Sequence, residues 1–235
     1  MEELETLKIQ KAISISGYCS RREAEELILK KQVLVNNEIA KIGQRVSIKD
    51  VIVVNGKTIN FLKQPDLYIL FNKPRGLICT NNDPENRKTI FEYLNLNQYC
   101  YSVGRLDFNT TGVIIITNDG GLANKLAHPS SEITRSYLVS LDRSLSTQEI
   151  KFLNSNRVIL ENKPSKQNVS YVKDNDYIIS LNEGRNHHVK KIFNLVQTNV
   201  LKLHRFAYGP LTDHNLKIGK FRNLTKDEIK LLKSL

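Results

Sequence analysis

The sequence predicts an α+β protein in two parts, a small unit of helices then short strands and a larger unit on a mostly antiparallel sheet. Three observations carry this. Short β-branched runs bounded by Gly, Asn, Asp and Pro recur along the chain, as strands do. Helix-start signatures fall between them, at Ser20-Arg21-Arg22-Glu23, Ser146-Thr147-Gln148-Glu149 and Thr225-Lys226-Asp227-Glu228. A polar bridge, Lys63-Gln64-Pro65-Asp66, separates residues 1–62 from a second unit, 67–235.

In the first unit, Leu7, Ile9, Ala12, Ile13 and Ile15 form an apolar helix face that stops near Gly17. Ser20 opens a second helix, continued by Ala24, Leu27, Ile28 and Lys31. Val33-Leu34-Val35 and Glu38-Ile39 flank a turn, and Val51–Ile59 folds back at Asn55-Gly56, a strong hairpin signal. In the second unit, Tyr68–Phe71 is a strand that ends in the turn Asn72-Lys73-Pro74-Arg75-Gly76. Val113–Thr117 is β-branched throughout and reads as a buried strand, after which Asn118-Asp119-Gly120 turns the chain. A short helix is expected at Leu122–Ala127, and strands at Ser136–Leu141, Val158–Leu160, Ser170–Val172 and Tyr177–Leu181. Val189, Ile192, Phe193 and Val196 give 187–196 helical spacing, and Thr225 opens the last helix.

Composition narrows the partners. Hydrophobic residues make up 40%, a globular proportion, and no apolar run reaches membrane-spanning length. The N-terminus Met-Glu-Glu-Leu-Glu is acidic and lacks a signal-peptide core, so a cytoplasmic protein is expected. Cys19, Cys79 and Cys100 are widely spaced and form no Cys-x-x-Cys pair, which argues against a disulfide framework or a zinc site. Net charge is +11. Residues 1–62 hold ten basic and eight acidic side chains, and the remainder hold 25 and 16, so most of the surplus lies in the second unit. Such a surplus attracts polyanions by counterion release, though Lys-rich proteins of many kinds carry one.

The most informative segment is Gly104-Arg-Leu-Asp-Phe-Asn-Thr-Thr-Gly-Val-Ile-Ile-Ile-Thr-Asn-Asp-Gly120. It holds one carboxylate, Asp107, at the mouth of a buried strand, where a reacting group is positioned most rigidly. This segment resembles the catalytic motif of pseudouridine synthases, in the ribosomal RNA branch of the RsuA/RluB type. Two further segments match that family: Arg135-Ser-Tyr137-Leu-Val139, and Glu183-Gly-Arg-Asn-His-His-Val-Lys-Lys-Ile-Phe193 followed by Leu203-x-Arg205-x-x-x-Gly209. The resemblance spans about residues 67–232 and implies a catalytic domain on one long mixed sheet with a central cleft. It also implies that Asp107 is the nucleophile and that no cofactor or metal is needed. Lys190 stands where the family usually has Arg and would pair with Asp107, a nearby cation favouring the ionised carboxylate. A Lys cannot make the bidentate fork of Arg. Tyr137 would stack on the target base and Leu203 close the pocket. Arg105 would fill the space left by a flipped base and hold a phosphate, at a flipping cost of about a few kcal/mol. Arg185 is expected on the RNA-binding surface and is, with Lys191, a rival partner for Asp107. His188 stands where Gln is common in the family.

Residues 1–62 resemble the small RNA-binding domain named after ribosomal small-subunit protein four. The helix opened by Ser-Arg-Arg would line its RNA face, with Ser20, Arg21, Arg22 and Lys30 as contacts. Two cations in a helix's first turn oppose the helix dipole, which favours a phosphate role over idle surface charge. His187, His188 and His204 do not make a metal shell, since the first two point apart and no Cys or carboxylate set completes one.

Three readings stand. One is isomerisation of uridine to pseudouridine in ribosomal RNA, 23S by resemblance to RluB-like enzymes, with the 16S enzyme of the same family as alternative. Another is a catalytically silent RNA-binding assembly factor, for which Asp107 has no use. The third is a glycosidase, which needs a second carboxylate about 5–10 Å away. Asp119 lies at the far end of the Val113–Thr117 strand and does not qualify. The expected partner is ribosomal RNA or an assembly intermediate, with no membrane and a monomeric chain.

Overall fold

The computed structural model describes residues 6–59 and 65–235. Its contacts divide the chain into one unit of residues 1–67 with 95–100 and another of 68–94 with 101–235. Lys63 and Gln64 of the polar bridge lie outside the described residues, as do Met1–Glu5.

The first unit runs β1 (Leu7–Lys8), α1 (Ile9–Ile15), α2 (Arg21–Leu29), β2 (Val33–Val35), β3 (Glu38–Ile39), β4 (Arg45–Val46), β5 (Ile52–Val54) and β6 (Lys57–Ile59). Leu7 is not on the first helix, as its spacing suggested. It pairs with Val46 in a two-stranded ladder whose second strand the sequence did not reveal. Ser20 caps α2 by accepting the Glu23 amide at 3.1 Å. That helix ends at Leu29 and not at Lys31, whose φ of +58° is left-handed. The sheet order β3-β2-β5-β6 follows from two tight hairpins, at Asn36-Asn37 and Asn55-Gly56, all four residues with positive φ. Ile9, Ala12, Ile13, Ala24, Ile28, Val33, Val35, Ile52 and Val54 make one core.

The second unit contains β7 (Tyr68–Lys73), α3 (Ile90–Leu94), β8 (Tyr101–Ser102), β9 (Thr111–Thr117), α4 (Gly120–Ala127), β10 (Arg135–Leu141) and α5 (Thr147–Leu153). It continues with β11 (Ile159–Leu160), β12 (Lys163–Pro164), β13 (Gln167–Lys173), β14 (Asp176–Leu181) and α6 (His188–Asn194). It closes with β15 (Val200–Tyr208), β16 (Leu211–Thr212), β17 (Phe221–Asn223) and α7 (Lys226–Ser234). Seven strands run in the order β13-β14-β10-β15-β9-β7-β17, with β16 and β8 attached to β15 and β9. All its pairings are antiparallel except β9 with β15, so the long, mixed, mostly antiparallel sheet is present. The capping boxes at Ser146 and Thr225 form in full. Asp119, read as part of a turn, is the N-cap of α4 and accepts the Gly121 and Leu122 amides at 3.1 and 3.0 Å.

The central strands β7, β9 and β15 matter most. In β9 every residue after Thr111 is buried. Gly112 lies between Lys73 on one side and Arg205 on the other. A Cβ there would sit 2.2 Å from the Arg205 carbonyl oxygen, so only glycine lets these strands close. Lys73 and Arg205 thereby flank the start of β9, just after the loop that carries Asp107.

Candidate active site

A cavity of about 610 Å³ opens in the second unit, of a size that suits a small-molecule group such as a nucleotide. Asp107, Tyr137, Lys190, Leu203, Arg105 and Arg185 all line it. Asp107 belongs to the turn between β8 and β9, closed by the Thr110 amide donating to the Asp107 carbonyl at 3.0 Å. The turn's backbone is gripped from below. The Lys73 ammonium is fully buried and donates to the carbonyls of Pro74, Asp107 and Thr110 at 3.0, 3.2 and 2.9 Å. With the Phe108 carbonyl at 3.5 Å, four acceptors surround its three N–H donors, which suits the ammonium form. Burial nevertheless pulls its pKa down from 10.5 to about 8, against an opposing pull from Cys79 and Asp107. The Cys79 thiol lies 3.4 Å from both the amide nitrogen and the carbonyl oxygen of Leu106, fixing the other flank.

The Asp107 carboxylate faces α6. Lys190 Nζ reaches Asp107 Oδ2 at 3.1 Å, and both side chains keep about a third of their surface exposed. His187 Nδ1 stands 3.7 Å from the same oxygen. Sequence reasoning weighed His187 only as a metal ligand and missed this neighbour. It is the N-cap of α6 with φ +54°, and that left-handed entry turns its ring toward the Asp107 loop. Val189, Ile192 and Phe193 are the buried face of α6, which leaves Lys190 to point into the cavity.

The two rivals to Lys190 are otherwise engaged. Lys191 pairs with Glu161. Arg185, expected to contact RNA, is spent internally: it bonds Glu183 at 2.7 and 3.0 Å and donates to the carbonyls of Leu160, Lys163 and Pro164. A guanidinium so committed ties the β11–β12 hairpin to the start of α6 and has little left for a ligand. Arg105 is exposed at the rim and makes no ion pair among the described residues.

Tyr137 on β10 and Leu203 on β15 are nearly buried walls, at 8% and 9% exposure. Tyr137 is the cross-strand partner of Arg205, and Val139 that of Leu203, so alternation along β15 puts Leu203 and Arg205 on one face. His188 is buried with Nε2 2.8 Å from Ser165 Oγ. Burial lowers its pKa below the ordinary 6.5, Arg185 adding to this and Glu183 opposing it, so it is neutral at physiological pH. The other acid on the cavity wall, Asp83, is held by Arg87 at 2.9 and 3.1 Å. Asp119 is occupied as a helix cap and accepts the Tyr68 hydroxyl at 2.9 Å. The paired carboxylates a glycosidase requires are not free among the described residues. No cluster of His, Cys, Asp or Glu suited to a metal occurs among them.

In the first unit, Arg21 and Arg22 are exposed in the first turn of α2 and Lys30 is exposed at its C-cap. Ser20 spends its hydroxyl oxygen on the cap. No helix of the described residues is long and apolar enough to cross a membrane.

The cavity thus holds a carboxylate paired with a cation, beside an aromatic wall, on a mixed and mostly antiparallel sheet. Residues 67–195 match the RNA pseudouridylate synthase family and residues 7–52 match the S4 domain. The chain belongs to the RNA pseudouridine synthases and is an isomerase of that family. A Bacillus subtilis protein called ribosomal large subunit pseudouridine synthase B is 34% identical, covering 97% of this chain and 96% of that one. An uncharacterized RNA pseudouridine synthase of Aquifex aeolicus is also 34% identical, covering 97% of each. A crystal structure of a pseudouridylate synthase superposes with a TM-score of 0.69 at 28% identity, covering 96% of this chain and 99% of that one.

Proposed function

We propose that this chain converts a uridine of large-subunit ribosomal RNA to pseudouridine, with Asp107 as nucleophile. The observation that carries the reading is the Asp107–Lys190 pair, 3.1 Å apart in a cavity walled by Tyr137 and Leu203. The names of the large-subunit relatives support the choice of substrate.

The chemistry needs few groups. Uridine and pseudouridine are isomers, so nothing is added or lost. An Asp107 oxygen attacks C1′, and the C1′–N1 bonding pair leaves with the uracil. The base turns in place, its C5 attacks C1′ and displaces the carboxylate, C5 loses its proton and N1 gains one. Lys190 pairs with the Asp107 carboxylate and aims it. Tyr137 stacks on the base and Leu203 closes the opposite wall. The base enters by flipping out of the RNA, with Arg105 at the rim taking a phosphate. Ser20, Arg21, Arg22 and Lys30 mark the RNA face of the S4 domain, Ser20 by setting the helix start and the three cations by meeting phosphates. The whole works in the cytoplasm as a monomer, without cofactor or metal.

The test is a map of pseudouridines in ribosomal RNA from cells lacking this gene. Loss of a large-subunit pseudouridine, restored by the gene, is expected. Loss confined to the small subunit would move the substrate assignment there. An unchanged map would overturn the reading.

A further inference from the structure

Arg205 is the least explained cation beside the cavity. It is 2% exposed, yet no carboxylate pairs with it among the described residues. Its Nε donates to the Val113 carbonyl at 2.8 Å, while its Nη2 is buried with no partner. A buried guanidinium with an unfilled donor is costly, and folded proteins rarely keep one without a use. The neighbouring Arg135 differs. Its Nη1 already serves the carbonyls of Ile133 and Asn182 at 3.0 and 2.9 Å. Both guanidinium groups lie 5.2 Å from the centre of the Tyr208 ring, so two cations share one aromatic and neither has a counter-ion there. The unspent donor is therefore on Arg205.

Its position says what it could meet. Arg205 lines the cavity, stands across the strand pair from Tyr137, and is two residues from Leu203. A phosphate stays with the RNA backbone at the cavity mouth, where Arg105 is exposed. A group as deeply buried as Arg205 meets only what enters, the base. Uracil offers two carbonyl oxygens as acceptors at its edge. When the C1′–N1 bond breaks, the electron pair left on N1 spreads onto those oxygens, so a fixed cationic donor gains strength as the base departs.

We propose that Arg205 grips a carbonyl oxygen of the flipped uracil through Nη2 and holds the detached base while it turns. Arg205 is then a substrate-contacting residue of the reaction, and if the oxygen is O4 its donor-only edge also disfavours the amino group that cytosine presents there. The inference rests on the functional reading given above.

The experiment uses the full chain and a synthetic ribosomal RNA stem-loop carrying the uridine mapped in the gene-deletion experiment. That uridine is left unchanged or replaced by 2-thiouridine or 4-thiouridine, since sulfur is a much weaker acceptor than oxygen. Single-turnover rates and RNA Kd are measured for the wild type, Arg205→Lys and Arg205→Met. For the wild type, one of the two thio substitutions slows the reaction roughly 10-fold or more, and which one names the oxygen. Arg205→Met slows the uridine reaction by about 100-fold with RNA Kd within about 2-fold, and shows no further loss on the sensitive thio-RNA. Arg205→Lys recovers part of the rate and has a smaller thio effect than the wild type. If Arg205→Met does not melt cooperatively, the Arg205→Lys comparison decides alone. A wild type indifferent to both thio substitutions, or the same thio effect in wild type and variants, overturns the role of Arg205 and leaves the functional reading standing. A wild type that forms no pseudouridine in the uridine RNA overturns the functional reading itself, and this inference with it.

Discussion

The turn that carries Asp107 and the first turn of α2 both present charge to solvent, but they are built in opposite ways. The Asp107 turn is fixed from every side: Lys73 on its carbonyls, Cys79 at Leu106, Lys190 on the carboxylate and the Gly112 backbone against Arg205. The α2 turn is held by its Ser20 cap on one side, and Arg21 and Arg22 make no ion pair among the described residues. A reaction needs atoms held in place, so its site is over-determined. Phosphate attraction is long-ranged and tolerant of geometry, so free side chains serve it. Substitutions at the first region should change rate and not affinity, and at the second affinity and not rate.

The sharpest break in that contrast is expected at Lys190. Lys190→Met should lower the single-turnover rate about 100-fold, because it strips the carboxylate of its charge partner in a partly desolvated cavity. Lys190→Arg should restore the rate, and Lys191→Met should leave it within about 2-fold, its charge being spent on Glu161. A profile in which Lys191→Met is the damaging change would move the partner to the wrong side of the helix.

Lys73 comes next. Lys73→Met leaves the carbonyls of Pro74, Asp107, Phe108 and Thr110 without its donor, and a loss of about 2 kcal/mol or more of stability is expected, with a rate drop of about 10-fold. In the intact protein, rate should fall as pH rises through about 8, since a neutral amine has one donor fewer for these carbonyls. The stability contribution of the same group moves the other way. Between about 8 and 10.5 the unfolded chain holds the Lys73 proton and the folded one does not, so this term grows with pH. A rate that falls while Tm holds would separate a local loosening from unfolding.

At α2, Arg21→Ala with Arg22→Ala should weaken RNA binding about 10-fold and flatten the salt dependence by about one to two in slope. The single-turnover rate at saturating enzyme should not move. An unchanged salt slope would remove this helix from the RNA interface. The smallest effect is at His188. Its pKa is depressed by burial, so the unfolded chain binds its proton first as pH falls through 6.5, and stability drops there. His188→Gln keeps a side chain able to bond Ser165 and should remove that acid-side loss, read as Tm against pH.

Much of this was legible in the sequence where one local rule suffices. Capping boxes gave helix starts at Ser146 and Thr225, the Asn55-Gly56 turn gave its hairpin, and the Gly104–Gly120 motif gave Asp107 its strand. Misreadings came where local rules compete. Leu7 fits a helical face, but its backbone finds Arg45–Val46 nearly forty residues on. Asn118-Asp119-Gly120 reads as a turn and as a cap equally well, and the amphipathic run after it decides for the cap. The site showed the same limit. Lys190 was recoverable from its motif, but the internal engagement of Arg185 and the approach of His187 to Asp107 depend on how distant segments meet. Arg205 left a trace in the alternation Leu203-x-Arg205, a charge at a buried strand position, which is unusual enough to flag.

The most direct test of the account is the Asp107→Asn variant of the full chain, assayed against ribosomal RNA beside the wild type. The substitution keeps the side-chain volume and the turn, which Lys73 holds by backbone carbonyls, and removes only the nucleophilic charge. Pseudouridine formation below about one hundredth of wild type, with RNA Kd unchanged, is the predicted result. Turnover above that level would contradict the assignment of Asp107 as the nucleophile.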